Sequence, residues 1–509
     1  MYDVVVIGCG PVGALTANLL GARGVRTLVV ERGTEPHGQP RAFSCDDEAL
    51  RIYQQAGLRA EVAEGMYPPS RAEYVNARGR VFAEIALDEV DFGLGAEPLH
   101  FFDQPALEAA LRRGLDRFPH VTLRTGTELV GLRQQDDRVV ATLRHGGRDT
   151  EVEARYVLGA DGARSTTRTA AGIALTGSSA AEPWLAVSGE VEPGATRVAT
   201  TRFVCDWRRP AFVSPGAGGT HRLEFMLRDG EDPKAMTDPA TVRELVAPYV
   251  DPDRFTVTRA VVYTFHTLVA DRWRAGRVFL LGDAAHQMPP FLGQGLCSGL
   301  RDAANLTWRI AQVLRGDADD ALLDGYEAER RPHTEEMTRT SVRLGRVFLV
   351  RDRFAAALRD AVLRAAQAVP RVRRAVRHFE FKPRPVLPGH RAPVGTMFPQ
   401  PDVAVGGTRV PLDDVLGAEF AVVGPGVDAA TALGWRGPVS RFVRVVPPGS
   451  AAQGDITTVE DVDGALTAWF AEHGTDVVVL RPDRFVHATT VATRTAATGR
   501  GYGASSAQV

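Results

Sequence analysis

Val4-Val5-Val6-Ile7-Gly8-Cys9-Gly10-Pro11-Val12-Gly13 is the stretch that decides the fold of the N-terminal region. Its four apolar residues predict a short strand buried on both faces, and the glycines that follow have the spacing G-x-G-x-x-G. Gly8 permits a tight turn, Gly10 lets the backbone approach a pyrophosphate, and Gly13 allows close packing of a helix on the strand. We therefore expect Gly8, Gly10, Pro11 and Gly13 to bind a dinucleotide, with a chance glycine-rich turn as the alternative.

The residues after the glycines complete a βαβ unit. Apolar residues at helical spacing run to Gly24, and Val25–Val30 is the next predicted strand. Glu31 lies at the end of that strand, where an acidic side chain can accept hydrogen bonds from both hydroxyls of an adenosine ribose. Glu31 and its neighbour Arg32 are therefore candidate cofactor-binding residues. The motif by itself does not distinguish NAD from FAD.

A second strand end, far downstream, carries another acidic residue. The apolar run 278–281 leads into Gly282 and Asp283. A carboxylate there could fold back and bind the ribityl hydroxyls of a flavin, a group that NAD lacks. The alternative for Asp283 is an ordinary helix N-cap.

The next motif, Pro289-Pro290-Phe291-Leu292-Gly293-Gln294-Gly295, is a stiff turn that leads into a predicted helix. The N–H groups of Gly293, Gln294 and Gly295 could point at the pyrimidine edge of a flavin. The positive end of the helix would then stabilise the anionic reduced ring. An ordinary loop rich in proline and glycine explains the turn, but not its position directly after the second strand end.

A third buried strand, 156–160, ends at Asp161-Gly162-Ala163-Arg164-Ser165. Asp161 could lie between a flavin and a nicotinamide cofactor, with Arg164 contacting a phosphate. The competing interpretation is a plain Asp-Gly turn with a surface arginine.

The region 176–270 alternates in the manner of strands and contains glycine turns. Its β-branched and aromatic residues predict an antiparallel sheet inserted into the first domain. Aromatic residues of such a sheet mostly belong to the core, but some could form the walls of a pocket for an aromatic ligand. These candidates, with one residue of the proline-rich turn, are Phe203, Phe225, Tyr263 and Phe291.

Composition limits the classes of function. The 509 residues are 44% hydrophobic and 24% charged, and the formal net charge of −2 gives no global attraction to nucleic acid or to an anionic membrane. Arginines are concentrated at 351–377, where apolar residues at helical spacing favour a solvated helix face over a nucleic-acid patch. The four cysteines lack metal-binding or redox spacing, and no apolar stretch is long enough to span a bilayer. We therefore expect a cytoplasmic protein without a metal, without nucleic-acid partners and without membrane insertion.

The three strand-end motifs together resemble those of the class A FAD-dependent aromatic hydroxylases, the p-hydroxybenzoate hydroxylase-like superfamily. The resemblance covers about residues 1–350 and implies that the glycines, Glu31 and Asp283 hold FAD. It further implies that Arg41 and Gln104 contact the pyrophosphate or ribityl region, and that Pro290, the catalytic candidate, lies beside the isoalloxazine. Asp161 and Arg164 would serve both FAD and NAD(P)H. The runs that look nearest to 3-(3-hydroxyphenyl)propionate hydroxylases and aromatic polyketide hydroxylases are 40–42, 46–51, 104–108 and 282–305.

The resemblance implies an α/β fold of several parts. Residues 1–175 and 271–350 would form a discontinuous Rossmann-like FAD-binding domain, and 176–270 the inserted antiparallel β-sheet that binds substrate. A helical segment and a proline-rich linker would occupy 351–390. The segment 391–509 resembles the thioredoxin-like C-terminal domain of related hydroxylases, with a loose tail. Because it contains no cysteine, we expect a packing role or a homodimer contact there rather than dithiol chemistry.

The implied reaction adds one atom of O2 to a phenolic ring. NADPH or NADH would reduce the flavin, and a flavin 4a-hydroperoxide would transfer oxygen to a small aromatic substrate whose hydroxyl supplies electron density. His286 is the candidate proton acceptor for that hydroxyl, and the alternative for this histidine is a structural role. Three functions stay open: hydroxylation of a phenolic acid similar to 3-(3-hydroxyphenyl)propionate, tailoring or inactivation of an aromatic polyketide or antibiotic, and binding of flavin or ligand without catalysis.

Overall fold

The computed structural model describes residues 1–35, 42–428, 439–450 and 456–491. The chain forms two compact units, Met1–His390 and Arg391–Val509, and each has a hydrophobic core of its own. Arg41 lies outside the described residues, so its role in cofactor binding stays a prediction.

The first sheet is built on the strand that precedes the glycine turn. Tyr2–Ile7 pairs in parallel with Thr27–Val30 on one side and with Arg148–Gly159 on the other. Residues 4–6 are completely buried, as the continuous apolar run predicts for a strand covered on both faces. The order across the sheet is Arg274–Ala275, Val278–Leu280, Arg148–Gly159, Tyr2–Ile7, Thr27–Val30 and Val121–Arg124, with Thr127–Gln134 and Val139–His145 as an antiparallel extension.

Two glycines allow the first strand, the turn and the helix Pro11–Ala22 to approach each other closely. Gly8 has a φ of 96°, and a Cβ there would lie 2.5 Å from the carbonyl oxygen of Ala160. A Cβ on Gly13 would overlap the carbonyl oxygen of Gly8. Only glycine fits both positions without displacing the backbone. The dinucleotide spacing is therefore also a packing requirement of this sheet.

The second sheet combines the predicted inserted region with two earlier strands. Leu175–Val191 and Phe255–Ala270 pair along most of their length, whereas Thr201–Cys205 pairs in parallel with Arg71–Asn76. The prediction of a sheet confined to 176–270 is therefore too narrow, because alternation within a strand does not reveal a distant parallel partner. The order is His286–Gln287, Phe255–Ala270, Leu175–Val191, Thr220–Met226, Ala211–Pro215, Thr201–Cys205, Arg71–Asn76 and Val81–Ala86; Ser44–Cys45 and His100–Phe101 form a separate two-stranded sheet.

The helix that follows the proline-rich turn, Gly295–Arg315, is buried from Cys297 to Val313 and contacts the helix Pro11–Ala22. None of the helices among the described residues is long and apolar enough to cross a membrane. The other helices of the first unit are Asp47–Gln55, Arg59–Ala63, Gln104–Arg113, Thr166–Ala170, Pro233–Met236, Pro239–Val246, Gly325–Phe348, Arg353–Gln367 and Pro370–Arg377. Short 3-10 helices are Leu87–Glu89, Gly114–Arg117, Ala217–Gly219, Pro252–Arg254, Gly282–Ala284, Pro290–Leu292 and Asp320–Asp324.

The arginine-rich segment begins with the helix Arg353–Gln367, whose orientation differs from the prediction. The buried residues of this helix are Ala356 and Asp360, which lie four residues apart on one face. Phe354 and Leu358 are 76% and 65% exposed. These apolar residues therefore face solvent and do not cover the core of the first unit, whereas the Arg359 side chain, 7% exposed, packs over the Phe82 ring.

The second unit contains one mixed sheet. Its central strands are parallel, and antiparallel strands flank them on both sides. Buried Val, Leu and Phe side chains from the sheet and the helices form its core. The strand order is Thr408–Pro411, Asp402–Val405, Thr457–Glu460, Val439–Val446, Phe420–Gly424, Thr475–Leu480 and Val486–Val491, and the described helices are Leu412–Leu416 and Ala465–His473.

A buried cluster of charges joins three distant parts of the first unit. Arg301 donates to Asp46 and Glu48, and the Lys382 ammonium lies 3.0 Å from Asp46 and 2.9 Å from Asp47. Although burial opposes it, Arg301 and Lys382 hold the pKa of Asp46 below its ordinary value, whereas burial raises the pKa of Asp47 to about 6. The three carboxylates are close enough together to hold a metal ion, but each already forms an ion pair with Arg301 or Lys382.

We predict that Gly13→Ala lowers the stability of the flavin-free protein by about 1–3 kcal/mol, because the new methyl group would overlap the carbonyl of Gly8. Gly10→Ala is the matched control, since a Cβ at Gly10 meets nothing within 4 Å. Thermal unfolding followed by circular dichroism checks the difference. Equal stabilities for the two variants would show that the close approach is not required.

Lys382→Met should destabilise the protein by about 3–5 kcal/mol at neutral pH, because Asp46 and Asp47 stay buried with one cation fewer. The loss should shrink as the pH falls. Because the pKa of Asp46 is lowered in the folded protein, its ion pairs contribute stability above the pKa of an unfolded aspartate, and this stability is lost as the pH falls toward the folded pKa. The raised pKa of Asp47, about 6, means that this carboxyl needs a cation only above that pH.

Urea unfolding of this variant at several pH values between about 4 and 8 checks both the size of the loss and its direction. Arg374→Met is the control, because the side chain of Arg374 is 76% exposed. A loss in Lys382→Met that does not depend on pH would contradict the assigned cause.

Candidate active site

A cleft of about 490 Å³ opens where the three predicted loops meet. A cavity of this size is typical of small-molecule and cofactor sites. The predicted cofactor-binding residues that line it are Gly8, Gly10, Pro11, Glu31, Arg32, Gln104, Asp161, Arg164, Asp283, Pro290, Gly293 and Gly295. The structure thus brings together residues that are separated by as much as half of the chain.

The glycine turn presents its backbone to the cleft. Nothing lies within 4 Å of the position that a Cβ on Gly10 would occupy, and the helix Pro11–Ala22 begins here with no side-chain cap. Its first N–H groups therefore face the cleft with the positive helix end. Glu31 accepts hydrogen bonds from the N–H groups of Cys9 (2.7 Å) and Gly33 (2.9 Å), which fix its carboxylate in the wall. These features fit the pyrophosphate and ribose of a dinucleotide.

The second loop turns a carboxylate toward the same cleft. Gly282 has a φ of 58°, and its N–H donates to Asp302 at 3.1 Å. Gly282 does not line the cleft itself, but this turn exposes the next residue, Asp283, to it. The arrangement fits a carboxylate that binds the hydroxyl groups of a cofactor chain.

The proline-rich turn supplies a second helix N-terminus. Its 3-10 helix, Pro290–Leu292, is followed by Gly293 with a φ of 68°, and Gly295–Arg315 begins with no side-chain cap. Gly293 and Gly295 line the cleft. The predicted contact of the Gly293 N–H with a flavin is not supported, because this group donates to the Pro290 carbonyl at 2.9 Å. The N–H groups of the first helical turn, from Gly295 on, have no partner within the helix. Gln294 differs, because its side-chain oxygen accepts a hydrogen bond from Arg301 at 3.0 Å and it borders a second cavity instead.

Asp161 lines the cleft, yet its carboxylate also holds the local fold. Its oxygens accept hydrogen bonds from the hydroxyl groups of Ser165 (2.5 Å) and Thr167 (3.0 Å) and from the Thr167 N–H (2.9 Å). Arg164, from the same loop, also borders the cleft. The Asp161 carboxylate therefore stabilises its own turn, which was the alternative interpretation of the Asp161–Ser165 motif. The turn nevertheless lies beside the cleft.

Gln104 is positioned by hydrogen bonds at both ends of its amide. Its oxygen accepts from the N–H of Ala42 at 2.8 Å, and its nitrogen donates to Glu108 at 2.7 Å. A residue missed by the sequence analysis, Arg112, lies one helical turn further on, lines the cleft and donates to the Cys9 carbonyl at 3.3 Å. Its i+4 spacing from Glu108 on the same helix face could have indicated it.

His286 does not reach the cleft, and the prediction of a catalytic role for it is wrong. Its side chain is 1% exposed, and its ring nitrogen Nε2 lies 2.6 Å from Asp302. The ring also packs on Trp273, with centroids 5.0 Å apart. Although burial opposes it, His286 and Arg330 hold the pKa of Asp302 below its ordinary value. His286 is therefore a core residue that supports the loop around Gly282.

A second cavity, about 110 Å³ in volume, adjoins the cleft. Its size suits a single ring, since a protein cavity of about 150 Å³ binds benzene. Its aromatic lining residues are Phe43, Tyr74, Phe101, Trp184, Phe203, Phe212, Phe265, Phe291, Phe348 and Phe379. We call it the aromatic cavity. The residues that border both the cleft and the aromatic cavity are Phe43, Ser44, Glu224, Pro290 and Gly293.

Two of the four predicted substrate-pocket residues, Phe203 and Phe291, line the aromatic cavity, and Tyr263 lines the cleft. Phe225 lines neither, which corrects the prediction. Side chains alternate along a strand, so Phe225 lies on the face opposite to Glu224, where it packs in the core 6.0 Å from the Tyr249 ring.

Glu224 was not predicted, although the strand 220–226 contained a signal. Arg222 and Glu224 lie two residues apart, so these two oppositely charged residues share one face of a buried strand. Glu224 accepts hydrogen bonds from Arg222 (2.9 Å) and from the hydroxyl of Tyr263 (2.7 Å). Burial, followed by the charge of Glu224, raises the pKa of Tyr263 well above its ordinary value, so Tyr263 acts as a hydrogen-bond donor.

Comparisons with known proteins identify the family to which the chain belongs. Residues 1–341 match the family model described as "FAD binding domain", and residues 395–504 match the one described as "HcaD C-terminal domain". The 3-(3-hydroxy-phenyl)propionate/3-hydroxycinnamic acid hydroxylase of Burkholderia cenocepacia (strain HI2424) is 40% identical over 511 residues, which cover 96% of this chain and 94% of the relative.

Solved structures show the same fold. The p-nitrophenol 4-monooxygenase PnpA from Pseudomonas putida DLL-E4 is 25% identical with a TM-score of 0.68, over 75% of this chain and 97% of that one. The OxyS anhydrotetracycline hydroxylase from Streptomyces rimosus is 24% identical with a TM-score of 0.76, over 97% of both chains. With its FAD-binding domain and a nearly full-length relative at 40% identity, the chain belongs to the FAD-binding aromatic hydroxylase family.

Proposed function

We propose that this hydroxylase uses NADPH or NADH and O2 to hydroxylate a phenolic ring. One observation supports it above all: the cofactor cleft and the aromatic cavity share part of their walls, so a ring in one would contact a flavin in the other. Pro290 belongs to that shared wall.

The cleft residues fit FAD along its length. The Gly10 turn and the helix that follows it would hold the pyrophosphate, Glu31 the ribose, and Asp283 the ribityl chain. The N–H groups of the first turn of the helix Gly295–Arg315 would contact the pyrimidine edge of the ring. When bound, FAD accepts a hydride from the nicotinamide cofactor and activates O2, chemistry that amino-acid side chains do not supply.

The protein then has to exclude water and orient the ring. The aromatic side chains of the cavity provide an apolar wall, and Pro290 and Gly293 place backbone at the point where substrate and cofactor would meet. Arg32 and Arg164 border the cleft, and we propose that they contact a phosphate of FAD or of the nicotinamide cofactor.

The phenol named for the relatives is the first candidate substrate. Relatives named as 3-(3-hydroxy-phenyl)propionate/3-hydroxycinnamic acid hydroxylases align over nearly all of the chain. A meta-substituted phenol with a short side chain therefore supplies the ring to test first.

We further propose the finer domain assignment. The second sheet, with its added strands 71–86, would be the substrate-binding part, and the mixed sheet of the second unit would be a thioredoxin-like appendage. Because 391–509 contains no cysteine, its role would be in packing or in a homodimer.

Asp283→Ala should be purified with at least about ten-fold less flavin, because a ribityl-binding carboxylate is lost from the cleft. Absorbance at the flavin band relative to protein measures the occupancy. Asp253→Ala is the control, since the side chain of Asp253 is 75% exposed outside the cleft. A fully yellow Asp283→Ala protein would remove this residue from the FAD site.

A phenol that fits the aromatic cavity should stimulate NAD(P)H oxidation and gain one oxygen atom. Mass spectrometry of the product, with hydrogen peroxide measured in parallel, separates hydroxylation from uncoupled oxidation. Tight binding of phenols to the yellow protein, with no oxygenated product from a broad panel and either nicotinamide cofactor, would refute the monooxygenase assignment.

A further inference from the structure

The helix Arg353–Gln367 presents an apolar face to solvent. Its large apolar residues at a spacing of four, each more than half exposed, are Phe354, Leu358 and Val362. A second exposed row with the same spacing consists of Ala357, Ala361 and Ala365. The two rows lie side by side, because residues three and four apart are neighbours on the surface of a helix. We call these six residues the outer face.

The opposite side of this helix is polar and holds the helix in place. The Arg359 guanidinium donates to the carbonyl oxygens of Val347 (3.2 Å) and Cys205 (2.9 Å) and to the carboxylate of Asp360 (2.8 Å). Leu363 packs against a hydrophobic core cluster from the same side. A surface helix normally turns its apolar stripe to the core and its charges to solvent, so this helix has the reverse arrangement. Packing within the described part of the chain therefore does not account for the outer face.

The shape of the outer face fits a second copy of itself. Large side chains at a spacing of four form a ridge on a helix, and the row of alanines beside them forms a groove. Two helices pack when the ridge of one enters the groove of the other. A two-fold interface uses the same patch on both partners, so that patch must contain both parts of the contact. The outer face contains a ridge and a groove next to each other.

The exposed apolar surface extends beyond the outer face. A helix of 15 residues is about 22 Å long, whereas a specific interface buries about 800 Å² on each partner. Val369 and Val372, at the start of the helix Pro370–Arg377, are also exposed. Both helices contact the strand Val81–Ala86, whose first residue is exposed as well. These residues supply further apolar area for a dimer contact.

Other occupants explain the outer face less well. A membrane surface binds an amphipathic helix through the apolar area that the helix buries, and half of the outer face is alanine, which adds little area. The C-terminal segment 492–509 contains only two large apolar residues, Tyr502 and Val509, which are too few to cover it. A different protein would not require a ridge and a groove on the same patch.

We infer that the outer face is the contact between two copies of this chain, related by a two-fold axis that passes near Leu358, and that Val369 and Val372 extend the contact. This inference goes beyond the proposed reaction and does not depend on it. It places the homodimer contact in the first unit, so packing is the role that stays for 391–509.

Sedimentation velocity of the flavin-loaded, full-length protein measures its mass over a range of concentrations. We expect a dimer with twice the 54.9 kDa mass of one chain. Leu358→Glu should raise the dissociation constant of the dimer at least about one hundred-fold, because two-fold symmetry buries the introduced charge twice. Val257→Glu is the control, since Val257 is an exposed apolar residue of the second sheet, and it should dimerise like the parent.

Two results of this experiment would overturn the inference. One is a parent protein that stays monomeric up to about 100 μM, and the other is a dimer that Leu358→Glu leaves intact. Circular dichroism and flavin content are compared first. Both should match those of the parent, because the Leu358 side chain is exposed.

Ala361→Gln tests the groove, because glutamine is a good helix former and adds bulk to the alanine row without adding charge. The dimer should weaken about ten-fold, since a larger side chain prevents the close approach of the two helices. An unchanged dissociation constant would contradict the contact of ridge and groove.

Cross-linking tests the symmetry even if those variants do not fold. The four native cysteines are buried, so the thiol introduced by Leu358→Cys is the exposed one. A short bis-maleimide should join two copies of Leu358→Cys but not of Val257→Cys, and a Leu358→Cys protein that is not joined would overturn the two-fold contact. Cosedimentation with anionic phospholipid vesicles tests the rival occupant: a monomer that binds vesicles and loses that binding in Leu358→Glu would assign the outer face to a membrane and overturn the inference.

Discussion

The close approach of Gly13 to the carbonyl of Gly8 is the constraint on which the cofactor cleft depends. It presses the first helix against the first strand, and Gly8 in turn lies against the backbone at Ala160. Three separate backbone segments therefore meet with only the Ala160 methyl group beside them, which leaves the helix N-terminus open to the cleft. Side chains from strand ends that are distant in sequence can then line the same cleft, as Glu31 and Asp283 do.

Sequence patterns predicted this part of the fold because each signal is local. A run of four buried residues, a glycine spacing and an acidic residue at the next strand end all lie within residues 4–31, and the same kind of pattern recurs at 156–165 and 278–295. Parallel strands of one sheet present their carboxyl ends at one edge, so the loops had to converge. The resemblance to aromatic hydroxylases added Gln104, which no local pattern marks as a cleft residue.

Other features of the fold and the site could not be predicted from local sequence patterns, because they depend on contacts between residues that are far apart in the chain. His286 follows a strand end in the manner of a catalytic residue, but Asp302 and Trp273 bury it. Strand 71–76 pairs with strand 201–205, although no sequence pattern in either segment indicates the other as its neighbour. Phe225 illustrates a different difficulty: composition marks an aromatic residue in a sheet, but only the register of the strand shows which face it occupies.

That register also explains why one strand serves two purposes. On one face of 220–226, Leu223 and Phe225 complete the core, while Arg222 and Glu224 on the other face bring a charge pair to the junction of the two cavities. A lone buried carboxylate would be costly there, and Arg222 compensates for it without entering the cavity wall. The hydroxyl of Tyr263 donates to the same carboxylate, so Glu224 is held by two partners where the cleft and the aromatic cavity meet. The alternation of one strand therefore completes the core on one face and places a stabilised charge pair at the wall of the site on the other.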